Sequence, residues 1–389
     1  MSTAAISPTQ TNWRDEWFEF EGATYLNLSG EAPMPKVALR AAQAAIADKK
    51  FPQHRLEASF FEVPNRLRAN LAQLIGGKPD EVAVTTGASA GAIAVAHALD
   101  WKPGDEVITA VREFPLQYTT WKPMEKRVGL TVKIVEPRDR FLTADDLIAA
   151  ITPKTKIMSV SMVRFDDAVM LDATKLSAAC HAQGALLLLD ISQCCGAVPL
   201  DVRALGADVL ICAGYKWLLG PYGTGFFWIK HELLAQLRPE PFNWMAIPGS
   251  DNFSNLNFAD PQPADSAKRW DAPEWASHYN FNLVGIDASV DFLVRIGPAA
   301  VQQHNRNLIE FMYERLPKDR CVPASPRDPA QRGPYGCFKA RTPEKTLEMY
   351  QKLRGENVIV SLREGNIRVS PYLYNSERDI DRLISVITA

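Results

Sequence analysis

Seven short apolar runs, at residues 82–84, 107–110, 132–135, 157–163, 186–189, 209–212 and 225–229, constrain what this chain can fold into more than any other feature. Each suits a strand and is too short for an ordinary helix, and most are separated by helical stretches such as 143–151 and 174–183. The run Ala185, Leu186, Leu187, Leu188, Leu189 has no polar residue at alternate positions. Such a strand must be covered on both faces, as in a parallel sheet flanked by helices. The alternation therefore predicts an α/β chain with a doubly wound, mainly parallel sheet.

The pattern changes twice along the chain. Leu67, Leu71, Leu74 and Ile75 recur at helical spacing until Gly76 and Gly77 stop them, and Tyr25 to Pro33 predicts a short strand opening into a loop that faces a site. Irregular, Pro-rich sequence at 238–273 interrupts the alternation, and helix-like segments at 284–316 follow. Beyond them, a helix at 344–354, strands at 358–362 and 367–369, and a last helix capped through Ser376 and Asp379 make a small C-terminal α+β domain. The expected division is an N-terminal segment at 1–24, a large domain at 25–283 and a small domain at 284–389.

Composition excludes several classes of function. With 47% hydrophobic residues among 389, the chain can bury a substantial core, so disorder is not expected. Forty-three basic against forty-five acidic residues give a net charge of -2, with no like-charged block to track a phosphate backbone or anionic lipid. No nucleic-acid or membrane partner is expected. The first residues have neither a basic leader nor a long apolar core, and the six cysteines show no C-x-x-C pairing, so a cytoplasmic protein without a structural zinc or disulfide framework is expected.

Two residues stand out chemically. Asp190 closes the most apolar run, where a carboxylate emerges at the strand's carboxyl end and such sheets bind ligands. Lys216 lies among Ile211, Cys212, Trp217, Leu218 and Leu219, which offer an ammonium little solvation, so burial should lower its pKa and favour the nucleophilic neutral amine. Taken singly, the aspartate equally suits a cap and the lysine a surface charge. Between residue 84 and residue 89, strand, tight turn and helix start follow one another, so the backbone amides of Gly87, Ala88 and Ser89 and the helix dipole converge where a phosphate can be held.

The order and spacing of Leu189-Asp190-Ile191-Ser192-Gln193 and Gly214-Tyr215-Lys216-Trp217-Leu218-Leu219-Gly220-Pro221, within a likeness running from Tyr25 to the C-terminus, resemble the class V aminotransferase family of fold-type I pyridoxal-phosphate (PLP) enzymes. That group includes cysteine desulfurases, kynureninases and isopenicillin N epimerase-like proteins. The resemblance implies a large domain with a mainly parallel seven-stranded sheet, a homodimer with sites near the subunit interface, and PLP as cofactor. Lys216 would form the Schiff base with the cofactor and then move protons, and Asp190 would pair with the pyridinium nitrogen. Gln193 would hydrogen-bond the phenolic oxygen or cap the next turn. Phe114 would stack on the ring or pack in the core, and Tyr215 would reach phosphate or pack. Arg368, in Asn366-Ile367-Arg368-Val369-Ser370, would grip a substrate carboxylate or join an exposed ion pair. Ser29, in the loop after the first strand, is a further candidate substrate contact.

Departures from the family pattern bear on the reaction. Glu364-Gly365-Asn366-Ile367 leaves no room for the mobile cysteine segment of one desulfurase branch, so persulfide chemistry is not expected. Phe165 occupies the position of an asparagine, leaving Arg164 or Asp166 as candidate substrate contacts. Arg269 to Glu274 replaces the segment whose threonine reaches a neighbouring subunit's phosphate, and Trp244 is a candidate cross-subunit contact. The expected function is action on a small amino acid with a free carboxylate, as an aminotransferase or lyase. Epimerisation, kynureninase-like hydrolysis and a noncatalytic regulatory protein on the same fold are the alternatives. A nicotinamide enzyme is disfavoured because no G-x-G-x-x-G follows a strand.

Overall fold

The strand Leu186–Asp190 pairs in parallel with Thr155–Ser161 on one side and Val209–Ala213 on the other. A computed structural model of the chain, describing residues 13–54, 59–238, 242–256, 259–272 and 281–389, places it at the centre of a seven-stranded sheet. The order across the sheet is Val82–Thr85, Gly225–Ile229, Val209–Ala213, Leu186–Asp190, Thr155–Ser161, Glu106–Ala110 and Thr131–Val135. All pairings are parallel except the two made by Gly225–Ile229. Two successive reversals restore direction, so the edge strand Val82–Thr85 ends at the same border as the parallel strands. That border carries the site.

Strand periodicity explains why the runs had to be apolar throughout. Ile157, Leu188, Val209, Ile211 and Phe227 point to one face, into a cluster with Ala92 and Val95 of helix Ala88–Ala98 and Leu116 and Trp121 of helix Pro115–Val128. Met158, Leu187, Leu189, Leu210 and Cys212 point to the other, against Leu71 of helix Ser59–Ile75, Leu176 of helix Ala173–Ala182 and Val290 of helix Phe281–Ile296. Truncating any of these buried leucines to alanine should cost roughly 2–5 kcal/mol.

A second sheet has the order Ser361–Arg363, Asn366–Val369, Gly336–Ala340, Cys321–Pro323, antiparallel throughout. Helices Pro298–Arg315, Pro343–Gly355 and Glu377–Thr388 cover it around Leu308, Met312, Phe338, Leu353, Ile367 and Leu383. The last helix begins with the expected reciprocal cap, Ser376 N–H donating to Asp379 at 2.8 Å. The stretch expected as one strand at 358–362 is divided: Val358–Ile359 pairs in parallel with Thr24–Tyr25, and Ser361–Arg363 joins the four-stranded sheet. The helix begun by Thr143 and Asp146 is shorter than expected, Ala144–Ile148.

The division expected between residues 283 and 284 falls inside helix Phe281–Ile296, whose Ile286, Val290 and Leu293 pack with the seven-stranded sheet. That helix ends at Gly297, with φ 81°, and Pro298 starts the next. The N-terminal strand ties both sheets together, since Leu26 lies in the core of the small sheet and Leu28 in that of the large one.

Candidate functional site

Asp190 and Lys216 line one cavity of about 180 Å³ at the carboxyl border of the large sheet. Asp190 is carried there by its strand, and its Oδ1 accepts the Ser192 N–H at 2.8 Å. Ser192 in turn accepts the Ala213 N–H on its hydroxyl at 2.9 Å, tying the two strand ends together. Lys216 follows in the turn after Val209–Ala213, is only 7% exposed, and has no carboxylate within ion-pair distance among the described residues. Its Nζ lies 5.0 Å from the centroid of the Phe114 ring and 5.6 Å from that of Tyr215.

Electrostatics follow from this burial. Desolvation lowers the Lys216 amine from 10.5 to about 8, against the opposing attraction of Asp190. Desolvation likewise pushes the Asp190 carboxyl up, while Lys216 and the Ser192 hydrogen bonds pull it down. The amine is thus unusually available as a nucleophile, and the carboxylate gains most from a cation placed between the two.

The opposite wall is the N-terminus of helix Ala88–Ala98. Gly87 precedes it with φ 153°, a conformation that side-chain-bearing residues rarely adopt, and no side chain caps the first turn. Gly87, Ala88 and Ser89 line the cavity, so uncapped amides and the positive end of the helix border it. The turn is held tightly from behind: a Cβ on Gly225 would lie 2.6 Å from Gly87 Cα and 2.5 Å from the Cys212 carbonyl oxygen. Asp271 is paired with buried Arg68 at 2.7 Å and accepts the Val84 N–H at 2.9 Å, while Arg68 donates to the Val82 carbonyl at 2.6 Å. This ion pair fastens the strand that delivers the turn. Of Arg269 to Glu274, which replace the family segment that reaches a neighbouring subunit, Pro273 and Glu274 lie outside the described residues.

Phe114, 38% exposed, borders the cavity, and Pro115 starts a helix immediately after it. Tyr215 also lines the cavity and stacks on Tyr222 with ring centroids 4.4 Å apart. Burial raises its hydroxyl pKa, helped by the nearby Asp190.

Arg164 does not have the role open to it in the sequence. It is buried and meets Glu113, Asp166 and Asp167 at 3.4–3.8 Å, with Nη2 donating to the Val111 carbonyl at 2.9 Å. Its charge is met by Asp166 and Asp167 of its own turn and by Glu113 from a separate loop, and only the last is without a local signal. Asp166 is occupied in the same way by Arg164 and Arg112.

Arg368 differs in this respect. It is 1% exposed, donates from Nη1 to the Phe165 carbonyl at 2.8 Å and from Nη2 to the Ser361 hydroxyl at 3.3 Å, and its Nε has no partner. No carboxylate lies within ion-pair distance of it among the described residues. Burial lowers its pKa, and its charge is felt at Lys216. A buried guanidinium with an unpaired N–H fits an anionic ligand better than the exposed ion pair that the sequence left open.

Ser29, Gln193, Trp244 and Arg368 do not line the cavity. The Ser29 hydroxyl bonds the Ser370 hydroxyl at 2.8 Å, and its carbonyl accepts from Gln193 Nε2 at 3.1 Å. Gln193 Oε1 accepts the Trp217 indole N–H at 3.1 Å, which fixes the side chain beside the lysine turn. Trp244 is 46% exposed and packs with Phe253. Sequence reasoning passed over Ser192, whose two-residue offset from Asp190 was its only signal, and Glu113, which accepts both the N–H and the hydroxyl of Ser161.

Together these groups fit PLP: an uncapped helix start for the phosphate, a buried carboxylate for the ring nitrogen, an unpaired neutralisable amine for the aldehyde and a flat ring for stacking. Comparison with known proteins agrees. The model of the family "Aminotransferase class-V" matches residues 24–383. The isopenicillin N epimerase of Amycolatopsis lactamdurans is 24% identical over 98% of both chains. A probable cysteine desulfurase of Ureaplasma parvum is 25% identical over 95% of this chain and 94% of its own. Among solved structures, a C-DES mutant with glycine covalently linked to the PLP cofactor superimposes with a TM-score of 0.85 at 23% identity, covering 96% of this chain and 98% of that one. The cystine C-S lyase C-DES in complex with its product cysteine persulfide gives a TM-score of 0.82 at 23% identity, covering 94% and 97%.

Proposed function

The chain belongs to the aminotransferase class-V family, and on that premise we propose that this PLP-dependent enzyme acts on a small amino acid with a free α-carboxylate, as an aminotransferase or lyase. PLP, when bound, supplies an aldehyde that condenses with amines and a protonated ring that draws electrons from bonds at the amino carbon. The residues divide the remaining work. Asp190 keeps the ring nitrogen protonated, because a buried carboxylate is stabilised by the cation beside it. Lys216, depressed to about 8, is near the pH at which an amine both accepts and returns a proton at the amino carbon. The amides of Gly87, Ala88 and Ser89 hold the phosphate, with Tyr215 beside it, Phe114 covers a ring face, and Gln193 serves the phenolic oxygen from beside the lysine turn. Arg368 orients the α-carboxylate, with Ser29 bracing its strand through Ser370.

One observation carries this reading: buried Lys216 and buried Asp190 share a cavity with an uncapped helix N-terminus. Mass spectrometry of products from a panel of amino acids, with and without a 2-oxo acid acceptor, tests it. Keto acids or ammonia that depend on Lys216 are expected, and full turnover by Lys216→Ala would refute it. Epimerisation is the second reading, favoured by the isopenicillin N epimerases that align along nearly the whole chain. It predicts a D-amino acid and solvent deuterium at the amino carbon with no keto acid. A persulfide carried on a cysteine of the protein itself finds no support, since all six cysteines are buried and the hairpin before Arg368 is closed by Glu364 and Gly365 alone.

In place of the division into 25–283 and 284–389, the boundary between the large and small units is assigned to Gly297, because helix Phe281–Ile296 packs with the large sheet. A homodimer is supported by large apolar side chains left exposed, among them Tyr222, Trp244 and Ile93, and Trp244 is the candidate for a contact with the neighbouring subunit. Sedimentation at micromolar concentration tests this, and a monomer there would defeat it. A cytoplasmic location is supported by six thiols without a disulfide. No helix among the described residues is long and apolar enough to cross a membrane.

A further inference from the structure

We propose that Phe165 sets the side-chain specificity of this enzyme, selecting aliphatic amino acids over polar ones of the same shape; the inference rests on the reading that Lys216 and Arg368 address the amino and carboxylate ends of the substrate. Phe165 touches Arg368 directly and is linked to Lys216 through Phe114. Its carbonyl accepts from Arg368 Nη1 at 2.8 Å, which fixes its backbone against the guanidinium. Its ring meets Phe114 edge to face, with centroids 5.9 Å apart and planes at 85°, and Phe114 in turn lies over the Lys216 amine at 5.0 Å.

The polar groups of the same turn are all directed elsewhere. Arg164 is surrounded by Glu113, Asp166 and Asp167, Asp166 also faces Arg112, and Asp167 Oδ1 accepts the Val169 N–H at 3.0 Å. The Ser161 hydroxyl donates to Glu113. What the turn leaves toward Phe114 is the half-buried phenyl ring of Phe165. A side chain addressed by Lys216 and Arg368 therefore meets two aromatic rings, while the atoms of this turn that make no hydrogen bond, Arg164 Nε and Nη1 and Asp166 Oδ1, are buried against their ion-pair partners in the Glu113, Asp166 and Asp167 cluster. A hydroxyl or amide there gives up water without a replacement partner, whereas an alkyl group gains contact.

The test uses the PLP-loaded enzyme and the Lys216-dependent yellow band, titrated with two isosteric pairs, valine against threonine and leucine against asparagine. The apolar member of each pair is expected to bind roughly tenfold more tightly. Phe165→Asn should bring each ratio near unity, and Phe165→Leu should keep the apolar preference. Equal or tighter binding of threonine and asparagine by the unmodified enzyme overturns the proposal. So does preferential binding of aspartate, which would mean that the half-buried Arg363 of the adjacent hairpin faces the side chain instead. Unaltered ratios in a folded Phe165→Asn variant overturn it as well. Absence of any Lys216-dependent band overturns the underlying site assignment, and is distinguishable because a band that forms normally with undiscriminating affinities defeats only the role of Phe165.

Discussion

Replacing Lys216 by methionine should stabilise the apoprotein at neutral pH. The amine sits 7% exposed and its pKa is depressed from 10.5 to about 8, chiefly by burial. A lysine whose folded pKa lies below its unfolded value binds fewer protons in the native state than in the unfolded one between those two pKa values. Stability therefore rises with pH across the window from about 8 to 10.5, and the full cost of the buried cation is present below it. At 1.36 kcal/mol per pKa unit, that cost is ~3 kcal/mol at pH 7 and falls below ~1 kcal/mol by pH 10. Methionine keeps the unbranched chain and removes the charge. Urea unfolding of the apoprotein, followed by tryptophan fluorescence at both pH values, should show the variant ahead by up to ~3 kcal/mol at pH 7, with the gap closing toward pH 10. A variant no more stable than its parent at pH 7, or a gap independent of pH, would show that Lys216 is not held in the desolvated site on which its nucleophilicity depends.

Arg368→Lys should raise KM for amino acids roughly tenfold or more, since a point charge cannot reproduce the two-pronged fork, while kcat with an amine lacking a carboxylate stays near its parent value. Asp190→Asn should lower kcat by about a hundredfold, with the circular dichroism spectrum retained; an unchanged kcat would remove the ring-nitrogen role. Arg68→Ala leaves Asp271 buried without its cation and should cost about 3–5 kcal/mol in denaturant titration, together with weaker cofactor retention because the Val82–Thr85 strand is loosened. Gly225→Ala forces a methyl against the backbone of Gly87 and Cys212, and equilibrium dialysis should find PLP bound at least several-fold more weakly.

Much of the fold was legible in the sequence because the strands of the large sheet are buried on both faces. Leu187 and Leu189 serve one core and Leu188 the other, so the entire segment had to be apolar. The site's two principal residues were legible for a related reason. Asp190 closes an apolar strand and Lys216 follows another at the border where the chain leaves the sheet, so their charges stand out there, although Asp190 also has a local use in accepting the Ser192 N–H. The hairpin strand Ser361–Arg363 was less legible: a two-residue change of partner after Ile359 moves it to another sheet, and nothing in the side-chain pattern marks the change.

What the sequence by itself determined, then, is the layered architecture, the amine and the carboxylate, because local hydrophobic periodicity and strand ends specify them. Tertiary structure alone decided which charges are free to meet a ligand. Arg164 and Arg368 are both buried arginines, yet Glu113 from a distant loop helps neutralise the first and no carboxylate reaches the second. The Ser29 hydroxyl is taken by Ser370 across almost the whole length of the chain. The partner of a buried polar group is set by whichever element packs against it, and that information is spread over residues far apart in sequence.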